Sequence, residues 1–246
     1  MNFDYYIFSA LAALIALTVH EYSHGYAAYK MGDNTAKNLG RLTLNPIKHL
    51  DPIGTLCMVL FHIGWARPVP VNPRYFKNPK KGFAVTALAG PLSNVILGFF
   101  SAGLYLLAFA LLRDVTFESK NIAYNLANYS LSFIFIFHSV NIGLGIFNLL
   151  PIPPFDGSRL LNVLLPERAY FAVMKYERQI YLGVIGWLLL GNMVASGLRA
   201  IPIIASTPWL STAVGIFSLS DILSYVIRAV SNLMLNFWQL IPFLKI

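Results

Sequence analysis

Cysteine is almost absent from this chain, which contains only Cys57 among its 246 residues. A single cysteine cannot form an internal disulfide and cannot supply a metal site built from several thiolates. Any metal ion that the protein binds must therefore rely on histidine and carboxylate side chains.

Charged residues are also scarce: they make up 11% of the chain, whereas 57% of the residues are hydrophobic and the mean hydropathy is +0.63. Soluble domains carry about 25% charged residues, so this composition excludes an ordinary soluble domain and predicts a multi-pass membrane protein. The N-terminus, Met1-Asn2-Phe3-Asp4, lacks the basic region of a signal peptide. We therefore expect the first apolar run to be retained as a membrane span.

The basic residues are unevenly distributed, and their distribution predicts a topology. Of the 18 basic residues, nine lie in segment 30–82 and four in 151–179, while the loop 113–129 between them holds two. Under the positive-inside rule, the first two segments are expected in the cytoplasm and the third outside. They do not form a stripe with stacking aromatics, so we expect no nucleic-acid partner.

Four apolar segments are long enough to cross a bilayer, which takes about 20 helical residues. A shorter apolar piece, 53–65, precedes a run with prolines at alternate positions, which favours an extended backbone or hairpin over a helix. We expect residues 1–200 to form an intramembrane core that comprises spans at about 5–29, 83–112, 129–150 and 180–198 and a re-entrant or extended region at 53–73.

The C-terminal segment 201–246 is expected to contain an amphipathic or a spanning helix. Polar residues recur at helical spacing from Asp221 to Gln239 and leave the opposite face apolar. Such a helix lies in the membrane interface or crosses with its polar face against the bundle, and we favour the crossing. The predicted fold is an all-α multi-pass membrane protein with about five to six transmembrane helices.

The pentapeptide His20-Glu21-Tyr22-Ser23-His24 lies inside the first apolar segment. Histidines four residues apart share one face of a helix, where they can hold zinc, and the glutamate between them can act as a general base. Ionisable residues within a span are costly and indicate function by default. If Tyr29 marks the interface, His24 and His20 lie roughly 8 and 14 Å below it by helix rise. The motif predicts a hydrolytic zinc centre at that depth.

A catalytic zinc ion needs a third protein ligand and one open position. Among the ten acidic residues, Asp156 is the best candidate, because it follows the third span within Asn148–Gly157, where prolines break the helix. It can reach the histidines if this loop folds back toward the bilayer, which is permitted where it lines a cavity. The alternative role for Asp156 is an Asx turn before Gly157.

Together the two motifs resemble the site-2 protease family of zinc intramembrane metalloproteases, in its compact prokaryotic form without a PDZ insertion. That family pairs an H-E-x-x-H helix with N-x-x-P-x-P-x-x-D-G, which is matched here by Asn148, Pro151, Pro153, Asp156 and Gly157. Further local likeness is found in Gly90-Pro91-Leu92-Ser93-Asn94 and in segment 64–73. The resemblance covers roughly residues 18–165.

The resemblance implies a role for each matched residue. His20, His24 and Asp156 would hold one zinc ion per chain, and Glu21 would take a proton from water and pass it to the leaving amine. Asn148 would donate a hydrogen bond to the substrate carbonyl or its oxyanion, unless its amide serves only between helices.

The implied activity is that of a zinc-dependent endopeptidase that cuts within or near the transmembrane helices of membrane-protein substrates. The implied location is the cell (plasma or inner) membrane, with the site toward the cytoplasm. A non-catalytic zinc-bound adaptor or chaperone is the alternative, but a structural zinc ion has four protein ligands and needs no base such as Glu21. A metal transporter would carry ionisable residues at depth in several spans, and the sequence has one such cluster.

Other polar residues receive structural interpretations. His138, Asn141, Gly145 and Asn148 form a stripe on the third span that we expect to face the first span. For His138 we favour an interhelical hydrogen bond over a substrate or proton-relay role. Residues 90–91 are expected to begin a helix, with Asn94 supporting the metal site. His49 is expected to fix a loop, and neither it nor His62 is counted as a ligand.

Overall fold

The computed structural model of the protein describes residues 3–54, 66–116, 121–166, 169, 173, 175–215 and 218–245. These residues are mostly helical and include no β-strand, although Leu50 and Ala66 form an isolated antiparallel bridge. The labelled helices are α1 (Phe3–Lys30), α2 (Thr35–Asn38), α3 (Pro79–Leu112), α4 (Ile122–Asn148), α5 (Asp156–Leu164), α6 (Glu177–Arg199), α7 (Pro202–Ala205), α8 (Pro208–Val214) and α9 (Leu219–Trp238).

Helices α1, α3, α4 and α6 are long and apolar enough to cross a membrane. Helices α8 and α9 meet at an angle of 107°, and if this bent pair is one span there are up to five among the described residues. The expected all-α multi-pass membrane fold is confirmed; the described residues contain four candidate spans, or up to five, where the sequence predicts about five to six.

Helices α3 and α4 begin earlier than the apolar runs that predict them, because asparagine side chains cap both. Asn78 accepts a hydrogen bond from the Lys81 N–H at 3.1 Å, and Asn121 accepts one from the Tyr124 N–H at 3.0 Å. The expected helix start at 90–91 is wrong, since Pro91 lies inside α3. Membrane helices tolerate an interior proline because neighbouring helices and local adjustments satisfy the freed carbonyl.

Helices α1, α3 and α4 pack against one another and form the bundle that surrounds the candidate site. Glycines permit the closest approaches: a Cβ atom on Gly98 would overlap Ile142, and one on Gly145 would lie 2.8 Å from Val95 Cγ2. Small residues at such crossings are typical of helix pairs in membranes. The interior is polar at Asn94, which is fully buried.

Helix α9 runs antiparallel to α4 along the bundle. Its first turn packs against the loop before α5, and Ser231 Oγ lies 3.1 Å from His138 Nε2 farther along α4. At its end, Trp238 Nε1 donates to the Phe99 carbonyl of α3 at 2.9 Å. This continuous packing favours a crossing helix over one lying in the interface.

Helix α6 has the length and composition of a span, but its described contacts tie it to the start of α9. Val184 packs against the first turns of α9, and Arg199 Nη2 lies 2.7 Å from Asp221 Oδ2. The crossing of residues 180–198 and the division of the chain at residue 200 stay predictions.

The region predicted to be re-entrant or extended lies partly outside the described residues, as do Cys57 and His62. Of its described residues, Ile53 and Gly54 are helical, whereas 66–72 contain no helix, in agreement with the prediction from the prolines. A single 3₁₀ turn, Pro73–Tyr75, follows it and is capped by Asn72, which accepts from the Arg74 N–H at 3.1 Å.

Candidate active site

His20, His24 and Asp156 converge at one point, as the sequence predicts. Helix α1 presents both histidines on the face that packs against α3, and their Nε2 atoms lie 3.0 Å apart. Asp156 Oδ2 lies 3.1 Å from each of them. The three side chains are only 5%, 9% and 13% exposed. Among the described residues, these three form the cluster of side chains that could hold a metal ion.

Asp156 reaches the histidines because the loop after α4 folds back, as expected. Phe155 packs into the bundle with its ring centroid 4.3 Å from that of Phe147. Gly157 lies so close to the end of α4 that a Cβ atom would overlap the Leu149 carbonyl. The loop therefore turns tightly and places Asp156 in the first turn of α5, where Oδ2 faces the histidines.

The opposite ring nitrogens of the histidines show that the site fits a cation. His20 Nδ1 lies 2.7 Å from Asn94 Oδ1, and His24 Nδ1 lies 2.7 Å from the Thr86 carbonyl. Both oxygens only accept, so both Nδ1 atoms carry the hydrogen, and a neutral ring then leaves a lone pair on Nε2. These lone pairs point at each other and at the carboxylate, an arrangement that a positive ion relieves.

The spacing of the ligand atoms also suits zinc. A tetrahedral zinc ion with ligands at about 2.0–2.1 Å holds them about 3.3 Å apart. The observed separations of 3.0–3.1 Å are slightly shorter. Two imidazoles and one carboxylate form a typical ligand set for a catalytic zinc ion with one open position.

The orientation of Asn94 is fixed by the rest of its amide. Its Nδ2 donates to the Ala16 carbonyl at 3.1 Å and to Asn141 Oδ1 at 3.0 Å. Asn141 Nδ2 in turn donates to the Phe137 carbonyl at 2.8 Å. Because every donor has an acceptor, Asn94 Oδ1 must face His20, as expected of a partner that orients a metal ligand.

Gly90 explains how α3 approaches the histidines so closely. A Cβ atom here would overlap His24 Nε2 and lie 2.8 Å from His20 Cε1. Asn94 follows one turn later on the same face and contacts His20. The Gly-Pro-x-x-Asn sequence thus supplies a gap and an orienting amide within α3 rather than the start of a helix.

The Asp156 carboxyl is in the form that a metal ion needs. Burial would raise its pKa, but the close contacts with His20 and His24 outweigh that effect and hold the pKa well below the usual range. Asp156 is therefore ionised near neutral pH, and metal ligands must be deprotonated.

Glu21 contacts the proline-rich segment. Its Oε2 accepts a hydrogen bond from the Val69 N–H at 2.8 Å. Val69 is buried, and its Cγ1 would lie 3.0 Å from a Cβ atom on Gly25, one turn after Glu21. Sequence reasoning missed this contact, although the glycine directly after the motif is a signal that another segment approaches there.

Asn148 lies near the end of α4, and its Nδ2 donates to the Leu144 carbonyl of the same helix at 3.0 Å. Its predicted help to a substrate oxyanion stays a prediction; the amide nitrogen carries a second hydrogen besides the one donated to Leu144.

The polar stripe on α4 faces a different helix from the one expected. His138 Nδ1 donates to the Gly98 carbonyl of α3 at 2.8 Å, and Asn141 accepts from Asn94 of α3. The expectation that the stripe faces the first span is therefore wrong, while the interhelical hydrogen bond of His138 is confirmed. His49 fixes a loop as expected: its Nε2 lies 2.8 Å from the Thr43 carbonyl.

Comparison with known proteins identifies the family. The sequence pattern of peptidase family M50 matches residues 8–191, which is more than half of the chain. The chain belongs to peptidase family M50. This confirms the resemblance to site-2 proteases and makes the protein a membrane-embedded zinc metalloprotease.

Three relatives carry matching names. "Putative zinc metalloprotease YwhC" of Bacillus subtilis is 44% identical over 159 residues, which span 63% of this chain and 68% of that protein. "Putative zinc metalloprotease Rip2" of Mycolicibacterium smegmatis is 29% identical over 96 residues, 37% of each chain. A zinc metalloprotease of Methanocaldococcus jannaschii is 27% identical over 154 residues, 63% of this chain and 33% of the relative. No solved structure gives a significant match.

Proposed function

We propose that this M50 protein is an intramembrane endopeptidase that hydrolyses peptide bonds within or near the transmembrane helices of membrane-protein substrates. One observation carries the proposal: three candidate zinc ligands converge inside a bundle of apolar helices, and Glu21 lies on the same helix turn as two of them. A peptidase centre buried among membrane spans is suited to substrates that lie in the same bilayer.

The residues divide into those that hold the metal and those that move protons. His20, His24 and Asp156 would hold one zinc ion. When bound, zinc supplies Lewis acidity that makes water a competent nucleophile near neutral pH and polarises a carbonyl. Glu21 takes a proton from the attacking water and delivers it to the departing amine.

Asn148 is proposed to donate to the developing oxyanion. Its Nδ2 carries two hydrogens, so it can donate one to the substrate oxygen while the other stays on the Leu144 carbonyl of its own helix. Loss of one such donor costs about 2.7–4 kcal/mol of transition-state stabilisation in a soluble protease.

A transmembrane helix is a resistant substrate, because its backbone amides are hydrogen-bonded within the helix. It must be unwound locally before a peptide bond can meet the site. We place the protein in the cell membrane with the site toward the cytoplasm, a proposal supported by the nine basic residues of segment 30–82, which follows the motif helix.

Replacement of Glu21 tests the proposed function. In Glu21→Gln the amide oxygen can still accept from Val69, but the side chain cannot take a proton. The purified variant in liposomes should retain zinc and lose cleavage of a transmembrane substrate. Glu177→Gln, at an exposed glutamate at the start of α6, is the matched control and should cleave normally. Undiminished cleavage by Glu21→Gln would exclude the proposed reaction. If the Glu21→Gln protein does not cleave but still performs its full function in cells, a zinc-bound adaptor would be indicated.

A further inference from the structure

An extended segment lies across the motif helix on the side of Glu21. We call this segment, residues 66–72, the strap. It contains no helix, and Pro68 and Pro70 within it have no N–H to donate. The strap therefore has few backbone N–H groups that can donate a hydrogen bond, and its backbone makes a small number of contacts.

The loop that follows α1 holds both ends of the strap. At one end, the Arg67 N–H donates to the His49 carbonyl at 2.8 Å, and Arg41 Nη2 donates to the Arg67 carbonyl at 2.7 Å. At the other end, the Asn72 N–H donates to Asp33 Oδ2 at 2.6 Å. Asp33 is fully buried, so this anchor lies away from solvent competition.

The middle of the strap meets the glutamate. The Val69 N–H donates to Glu21 Oε2 at 2.8 Å, and the Val69 side chain is buried against Gly25. The other carboxylate oxygen, Oε1, has no hydrogen-bond partner among the described residues. Within the described part of the chain, one oxygen is thus held by a backbone group while the other is not.

We propose that the Val69 N–H is a positioning group for the reaction, which holds Glu21 through Oε2 and leaves Oε1 to exchange the proton. This rests on the proposed function, because it takes Glu21 as the base. A glutamate side chain can adopt several rotamers. The Val69 N–H, in contrast, is held in one position, because both ends of the strap are hydrogen-bonded to the loop after α1. Fixing the base in this way matters because a misplacement of about 1 Å can cost about 100-fold in rate.

Two adjacent proline substitutions test the proposal. Val69→Pro removes the N–H that binds Glu21, whereas Val71→Pro removes one that has no partner among the described residues; each follows a proline. With a transmembrane substrate in liposomes, Val69→Pro should lower kcat by about 10- to 100-fold and leave KM and zinc content unchanged. Val71→Pro should keep a kcat near that of the unaltered protein.

Two results would overturn the proposal. Equal kcat values for both proline variants would show that the Val69 N–H does not act through Glu21. A rise in KM in both variants at constant kcat would show instead that this edge pairs with the substrate backbone.

A second pair of variants keeps the N–H and moves the strap. In Gly25→Ala the new Cβ atom would lie 3.0 Å from Val69 Cγ1 and 3.4 Å from Leu42 Cδ1, so Val69 must move by a few tenths of an ångström. We expect a lower kcat with zinc retained. Adding Val69→Ala removes Cγ1 and should restore much of the lost kcat. A double variant no faster than Gly25→Ala would contradict the proposal even if Val69→Pro does not fold.

The Glu21→Gln variant separates this proposal from the proposed function. If Glu21→Gln cleaves normally, the proposed function fails and the positioning proposal fails with it. If Glu21→Gln is inactive while Val69→Pro behaves like Val71→Pro, the proposed function stands and only the role of Val69 is wrong.

Discussion

The two faces of the H-E-x-x-H turn are supported in different ways. The metal face, with His20 and His24, is packed between helices and fixed by hydrogen bonds to α3. The base face, with Glu21, is covered by the strap, whose contacts come from loops. Damage to the metal face should therefore release zinc, whereas damage to the base face should slow the reaction and leave zinc in place.

The largest effect should come from the metal face itself. Asp156→Asn replaces an ionised ligand with a neutral amide. We expect it to weaken zinc binding by more than about 100-fold, which exceeds the effect of losing a residue that only hydrogen-bonds to a metal ligand. Competition with a chromogenic chelator measures it. Asp114→Asn, at an exposed aspartate in the loop after α3, is the control and should bind zinc normally. Unaltered zinc affinity in Asp156→Asn would remove Asp156 from the ligand set.

A smaller effect on the same face is expected from Asn94→Leu, which removes the acceptor for His20 Nδ1. Partners of metal ligands contribute about 10- to 100-fold to metal affinity, and we expect a loss in that range in the same chelator assay. Asn128→Leu, on the exposed part of α4, should have no effect. If both variants bind zinc equally well, Asn94 does not orient His20.

Gly90→Ala should break the metal face through packing. The added Cβ atom would overlap His24 Nε2, and overpacking of this kind costs about 1–3 kcal/mol. The thermal midpoint in detergent should fall, and zinc affinity should fall with it. Gly186→Ala, where a Cβ atom meets nothing within 4 Å, should match or exceed the stability of the unaltered protein. A Gly90→Ala protein as stable as this control would contradict the close approach of α3.

The smallest effect is expected on the base face from Asp33→Asn. Asp33 accepts from the Asn72 N–H and, at 2.9 Å, from the Thr35 N–H, and an amide cannot accept through both of its terminal atoms. We expect a loss of about 1–3 kcal/mol in stability, a kcat lowered a few-fold and unchanged zinc affinity. Zinc loss in this variant would show that the two faces are not independent.

Much of the fold follows from local sequence. Apolar length predicts α1, α3 and α4, because a bilayer leaves a long apolar segment few alternatives to a helix. The starts of α3 and α4 differ from the predictions, since caps at Asn78 and Asn121 extend the helices beyond their apolar runs. Hydropathy does not register such caps.

The candidate site is likewise predictable from the sequence in some of its residues and not in others. His20 and His24 follow from helical spacing, and Asp156 follows from the scarcity of acidic residues together with the second motif. Asn94 could be assigned a supporting role, but its partner depends on the rotation of α3 about its axis. The polar stripe on α4 was assigned to the wrong neighbour for the same reason, because a stripe predicts that a face is buried and does not say which helix covers it.

The sequence by itself determined the helices, the membrane setting, the family and the three residues that can hold zinc, because spacing, hydropathy and side-chain chemistry are written in it directly. Tertiary structure alone decided that Gly90 opens a gap for the histidines, that Thr86 fixes His24 through its carbonyl and that Val69 holds Glu21. The last two contacts use backbone groups, which every residue carries and which no sequence pattern marks. Their partners are set only when the helices and the strap come together.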